Sequence, residues 1–325
     1  MSRDVAPTVD RSLCVAGATH PACPRKFCNP VPPADLSAEA ATAIALARRA
    51  GTAHVAVRSA RRSSSKIKTP RLATAAPSSA NLPTPPKGKK WLFVPSLSDE
   101  FNGAQLDTTK WMPRHPYWEG RQPSAFKAGN VRVADGLLQL NSTSRVANMS
   151  EVADPLVDVW VDSAVVSSVA QTAGLGYYEA RVKASRLSMS SSFWFQGSNG
   201  EIDVIEQVGS PTDSSLAIMA EFMMPNVHTW RSTVWTDYPQ YIDMNASCAD
   251  DFHVYGMWWK GPYTVQFFLD NVLVATVRTK SALASPMWMF FDTEAFSWMG
   301  LPSISSLQDP TLNRMLVDYV RAWKL

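Results

Sequence analysis

Tyr177-Tyr178-Glu179-Ala180-Arg181-Val182-Lys183 alternates apolar and polar side chains with a period of two. Tyr178, Ala180 and Val182 share one face, and Glu179, Arg181 and Lys183 the other, the pattern of a strand half-buried against a core. Downstream, Thr264–Leu269 and Val272–Val277 flank Asp270-Asn271. Both central residues tolerate positive φ, so the spacing predicts a two-residue hairpin. Leu137–Asn141, Ser192–Gln196, Glu201–Glu206, Met287–Phe291 and Leu316–Lys324 also read as strands, punctuated by Gly136, Gly174, Gly176, Gly197, Gly200 and Gly261. No stretch after Lys90 carries a long helical apolar pattern, so helices are expected to be short and few. Many strands at near-regular spacing predict an all-β fold, a β-sandwich jelly roll of two stacked antiparallel sheets with a concave cleft.

Composition divides the 325-residue chain at Lys90. Residues 1–90 hold 15 Lys and Arg, four acids, 11 of the 23 prolines and one aromatic, Phe27, for a net charge of +11. Residues 91–325 hold 16 basic and 24 acidic side chains, a net charge of −8, and all 12 Trp. A segment so poor in aromatics and so charged buries too little apolar area to offset its backbone entropy. Residues 1–90 therefore read as a disordered or processed leader, and 91–325 as one large folded domain. The leader lacks the apolar run of a secretory signal. It reads as a solvated linker or a translation start placed too early, with a nucleic-acid-binding tail as the alternative. Cys14, Cys23 and Cys28 have no zinc spacing, and Cys248, alone in the folded domain, excludes an internal disulfide. No apolar run approaches the ~18 residues of a membrane span.

The chemistry concentrates in Gly200-Glu201-Ile202-Asp203-Val204-Ile205-Glu206-Gln207. On a regular strand Glu201 and Asp203 share a face while Glu206 points into the core, where an unpaired carboxylate costs several kcal/mol. One extra residue, a β-bulge around Val204-Ile205, returns all three acids to one face. Glu201 and Glu206 are then about 13 Å apart at Cα, and side chains leaning together close to roughly 5–5.5 Å. That separation suits a retaining glycosidase, with one carboxylate as nucleophile and the other as acid/base. Asp203 between them would hold the nucleophile and help keep Glu206 protonated. The alternative is an acidic strand facing solvent. Trp118, Trp194, Trp235, Trp258, Trp259 and Trp298 stand beside polar or glycine residues and are candidates to stack on sugar rings.

The E-I-D-V-I-E string resembles the E-x-D-x-x-E signature of glycoside hydrolase family 16 in its bulged version. Further segments agree in order: Ser98–Gly103 with Trp111, Asp135–Leu138, Gly176–Arg181, Ser192–Trp194, Phe252–Gly256 and Val317–Arg321. Trp118–Pro123, Met223–His228 and Phe291–Trp298 are similar to the β-agarases and β-porphyranases of that family.

The resemblance implies Glu201 as nucleophile, Asp203 as assisting residue and Glu206 as acid/base. It implies sugar stacking by Trp118 and Trp194, and hydroxyl binding by Arg121, His228 and Glu294; His253 reads as a supporting residue. It implies no catalytic cofactor, but one structural calcium at Asp99, Gly136 and Asp318. The implied activity is endo-cleavage of β-1,4 bonds in agarose, with sulfated porphyran as the alternative and Arg121 and Arg231 as its sulfate-binding cations. A non-catalytic carbohydrate-binding sandwich is a third reading, disfavoured because a lectin has no need of both Glu201 and Glu206. The expected partner is an agar-type galactan, with no nucleic acid and no membrane span. The expected state is a monomer acting outside the cell, where a polymer of that size is found.

Overall fold

The computed structural model describes residues 81–231 and 234–325, with the side chains of Arg231 and Val234 outside that description. The leader reading thus lies outside the described residues except for its last ten, and so does the Arg231 side chain.

Two antiparallel sheets face each other. The eight-stranded sheet runs in the order Val272–Arg278, Thr264–Leu269, His253–Gly261, Gly176–Lys183, Arg314–Lys324, Leu137–Asn141, Val131–Ala134, with Leu92–Phe93 added beside Arg314–Lys324. The seven-stranded sheet runs Val234–Asp237, Asn226–Arg231, Gly200–Val208, Ser190–Gln196, Trp288–Asp292, Val165–Ser168, Trp111–Met112. The fold is the expected jelly roll, with strands distant in sequence lying side by side. Its one α-helix among the described residues is short, Ile304–Gln308.

Alternation explains the core. Tyr178, Ala180 and Val182 point inward and meet Phe193, Phe195, Ile202, Ile205 and Phe291 from the facing sheet. Burying a side chain of this size contributes about 1.5–3 kcal/mol, so the shared apolar layer fixes both the register and the outward direction of intervening residues. The hairpin forms as expected: Leu269 pairs with Val272, and Asp270 and Asn271 adopt φ of +48° and +69°. Cys248 is buried as a free thiol.

The outer face of the eight-stranded sheet carries an apolar patch of Tyr177, Trp258, Phe268 and Trp323, covered by Leu82, Trp91 and Phe93. Trp91 meets Trp258 edge-on at 5.4 Å. Trp258 therefore packs against chain rather than lining the cleft, and Trp259 belongs to the interior.

Candidate active site

The strand Gly200–Val208 carries the bulge its sequence requires. Phe193 pairs with Ile205 but Trp194 pairs with Asp203, which leaves Val204 as the extra residue. Ile202, Val204 and Ile205 all join the core. Across the strand, Glu201 faces Gln196, Asp203 faces Trp194 and Glu206 faces Ser192. Ser192, Trp194 and Gln196 are two residues apart and share one face, so the three acids share it too, turned away from the core. Gly200 permits the close approach just before Glu201: a Cβ there would strike the Leu283 side chain and come within 3.0 Å of the His228 carbonyl oxygen.

At the Glu201 end, hydrogen bonds and charge fix the carboxylate. Gln196 Nε2 donates to Glu201 Oε2 at 2.5 Å, and the Tyr117 hydroxyl donates to Gln196 Oε1. His228, opposite Glu201 on the neighbouring strand, places Nε2 2.9 Å from Asp203 Oδ2 and 3.7 Å from Glu201 Oε1. Its Nδ1 lies 2.5 Å from Asp237 Oδ1, which also accepts from the Trp235 indole. Burial opposes a charge on this imidazole, but Asp203, Asp237 and Glu201 outweigh it and push its pKa up to about 10. His228 is thus an imidazolium at neutral pH. Trp230 and Trp235 stack at 4.8 Å beside it.

At the Glu206 end sits a second charged group. Arg121 Nε donates to Glu294 Oε2 at 2.6 Å. Its guanidinium lies 5.8 Å from the Trp118 ring centroid, 5.5 Å from Phe296 and 5.3 Å from Trp298. Burial works against the charge on Arg121, yet Glu294 holds its pKa above the ordinary value, with Glu206 and Asp292 adding to the effect. Asp292 accepts from Trp194 Nε1 at 2.9 Å. Its burial, and next the charge of Glu294, raise its pKa well above the carboxylate range.

The expected site residues converge on this face, but several hold different positions from those expected. Trp194 is only 4% exposed, stacked on Phe290 at 4.4 Å, so it supports the floor and offers no open ring to a sugar. His228 and Glu294 face charged protein groups where sugar hydroxyls were expected. His253 lies on the eight-stranded sheet, away from the acid triplet, with Nδ1 2.8 Å from Asp270 at the hairpin turn. The two carboxylates implied for calcium have partners within the protein. Asp99 accepts from the Trp111 indole at 3.0 Å and from the Phe101 backbone, while Asp318 meets Arg181 at 2.8 Å. Both carboxylates serve protein donors. Among the described residues, the acids and histidines gathered closely enough for a metal are Glu201, Asp203 and His228, on the other sheet.

Sequence reading missed Tyr117, Gln196, Asp237 and His115. The last is buried on Phe290 at 4.6 Å and is pushed by that burial down to about 3, hence neutral. Gln196 alone carried a signal: it follows Ser192 and Trp194 on the same face, across a short turn from Glu201.

Comparison with known proteins agrees with this geometry. Residues 91–325 match the family described as "Beta-porphyranase A-D, GH16 domain". The chain is 34% identical over 279 residues to Beta-porphyranase D of Zobellia galactanivorans, covering 75% of this chain and 63% of that one, so it spans under two thirds of that relative. It is 25% identical over 283 residues to Beta-agarase AgaB34 of Agarivorans albus, covering 75% of this chain and 60% of that one. The crystal structure of the β-porphyranase BpGH16B from the human gut bacterium Bacteroides plebeius superposes with a TM-score of 0.66 at 30% identity, covering 75% of this chain and 95% of that one. The acid triplet on a bulged strand, the jelly roll and these matches agree: the chain belongs to glycoside hydrolase family 16, in its porphyranase and agarase group.

Proposed function

We propose that the protein hydrolyses β-1,4-galactosidic bonds within agar-type galactan chains, with retention of anomeric configuration. The observation that carries this reading is the bulge at Val204, which sets Glu201, Asp203 and Glu206 on one face. Glu201 attacks the anomeric carbon while Glu206 gives its proton to the departing glycosidic oxygen. Glu206, now a carboxylate, then takes a proton from water as that water attacks the same carbon and releases Glu201. Gln196 and His228 keep Glu201 aimed, and Asp203 bridges His228 to the centre of the site. Trp118, at the other end beside Arg121, offers a partly exposed ring to a sugar face.

The preferred galactan is porphyran. Greater identity to a porphyranase than to an agarase supports it, as does a guanidinium in the cleft at Arg121, whose fork suits a sulfate group. Agarose is the second reading, favoured by one observation: Arg121 is already balanced by Glu294, with Glu206 and Asp292 nearby. Either polymer is too large to enter a cell, so the reading implies work outside it.

Product release from porphyran and from agarose, followed by NMR of the first-formed reducing ends, tests the proposal. New β-anomers are expected, faster from porphyran. First-formed α-anomers, or no product from either polymer, would overturn it.

A further inference from the structure

Across the floor of the cleft, Glu206 stands opposite Ser192, and Ser192 opposite Asp292. The row spans two strand spacings, about 10 Å in all. Ile205, Phe193 and Phe291, their neighbours along the three strands, point into the core, so the row itself turns to the cleft side. Ser192 and Asp292 are nonetheless buried, at 1% and 0% exposure. The charged groups facing Asp292 are Glu294, two residues further along the chain, Glu206 from the catalytic strand, and Arg121 from the loop before Ser124–Phe126. Val165, opposite it on the remaining neighbouring strand, is apolar. Arg121 is already bonded to Glu294. One guanidinium so engaged does not neutralise two further carboxylates, and a buried carboxyl group without a counter-charge takes up a proton.

Hydrogen bonding locates that proton. Asp292 Oδ2 accepts from Trp194 Nε1 at 2.9 Å. The other carboxyl oxygen, Oδ1, and Ser192 Oγ are both buried without a well-aligned partner among the described residues, although the Ser192 hydroxyl lies close enough to act on the Asp292 carboxyl. Buried polar atoms left in this way are costly. A proton on Oδ1 satisfies both: it is donated to Ser192 Oγ, and the Ser192 hydroxyl keeps its own hydrogen for Glu206, next in the row. An ionised Asp292 would reverse the chain and draw the Ser192 hydrogen away from Glu206. Burial, and next the charge of Glu294, favour the protonated acid.

We propose that Asp292 is a positioning residue for Glu206: as a neutral carboxylic acid it donates to Ser192, whose hydroxyl in turn donates to Glu206. The inference rests on the galactan reading above, which makes Glu206 the acid/base. Asp292 keeps its proton throughout; the proton given to the departing oxygen comes from Glu206, and the Ser192 hydrogen bond stabilises the carboxylate left behind. A bond donated to the charged form lowers the pKa of Glu206, so its loss raises that pKa and moves the alkaline limb of kcat/KM upward. In the full chain acting on a porphyran oligosaccharide, Ser192→Ala is expected to lower kcat about tenfold, with KM nearly constant and the alkaline limb raised by about half a pH unit. Asp292→Ala should act in the same direction. Asp292→Asn offers an amide donor to Ser192 and a carbonyl to Trp194, so it should hold the alkaline limb in place and restore kcat to within about threefold. Infrared spectra at neutral pH should show the carbonyl stretch of a buried carboxylic acid that Asp292→Asn removes, a readout independent of catalysis. No such band, an unmoved pH profile in Ser192→Ala, or an Asp292→Asn enzyme as impaired as Asp292→Ala would each overturn the proposal while leaving the galactan reading intact. Ser192→Ala and the infrared band decide the matter even where Asp292→Ala does not fold. An unsubstituted enzyme that releases nothing from any agar galactan would remove the acid/base role itself, and the positioning role with it.

Discussion

His228 Nε2 lies 2.9 Å from Asp203 Oδ2, and the same ring reaches Asp237 through Nδ1, so one imidazolium is clamped between two carboxylates beside Glu201. Its pKa of about 10 stands above the unfolded value of about 6.5. A group raised in this way stabilises the fold in full below about 6.5 and loses that contribution as the pH climbs through its folded pKa of about 10. Thermal melting should therefore fall in temperature between those limits, and His228→Asn should flatten that slope. The variant should also lose about 3–5 kcal/mol near neutrality, because a buried carboxylate is left without its counter-charge. Melting curves across that pH range check both statements. An unchanged slope in the variant would assign the pH dependence elsewhere.

Glu201→Gln removes the attacking oxygen while keeping the Gln196 contact nearly isosteric. The rate on polymer is expected to drop by at least about 10³-fold with little loss of stability, as for removal of a nucleophile. Glu206→Ala should be slow for a different reason, since water then lacks its base. Added azide, which needs no base, should restore turnover of an activated aryl galactoside and give a β-galactosyl azide. An α-azide, or no rescue, would place the acid/base role on another residue.

Much of this arrangement was legible in the sequence because it depends on local rules. The alternation of Tyr178, Ala180 and Val182 fixed the inward face of one strand, and Asp270-Asn271 fixed a turn. The need to keep Glu206 out of the core located the bulge now seen at Val204. What escaped depends on long-range pairing. Tyr117 meets Gln196 across 79 residues and Arg121 meets Glu294 across 173, and nothing local signals such partners. The same gap explains Trp258. Its polar neighbours suggested a groove, but its cover comes from Trp91, at the far end of the domain sequence. Trp194 was placed on the correct face, while its burial under Phe290 and His115 required the adjoining strand and loop.

Arg121→Lys keeps the charge but discards the planar fork that grips Glu294. Both side chains are largely buried, so the loss of geometry should cost about 1–3 kcal/mol of stability. On the proposed sulfated substrate the KM should rise about tenfold, and on agarose much less, because only sulfate uses the second edge of the guanidinium. Steady-state kinetics on matched porphyran and agarose oligosaccharides measure the difference. Equal effects on both would assign Arg121 to holding Glu294 alone.

Tyr117→Phe deletes a single hydroxyl from the chain of contacts that runs through Gln196 to Glu201. The ring stays packed against His115 at 4.6 Å, so the loop is expected to keep its place. Without the hydroxyl, the Gln196 side chain loses one of the two contacts that orient its amide, and the donor aimed at Glu201 Oε2 becomes less fixed. Losing one neutral hydrogen bond is worth about 1 kcal/mol, which sets the expected fall in kcat at roughly fivefold to tenfold. KM should barely move, because the hydroxyl acts on the nucleophile through Gln196. Gln196→Leu removes the donor itself and should cost more, and adding Tyr117→Phe to it should cost little further. A double variant as impaired as the product of the two single effects would show that Tyr117 acts on the sugar by a separate route.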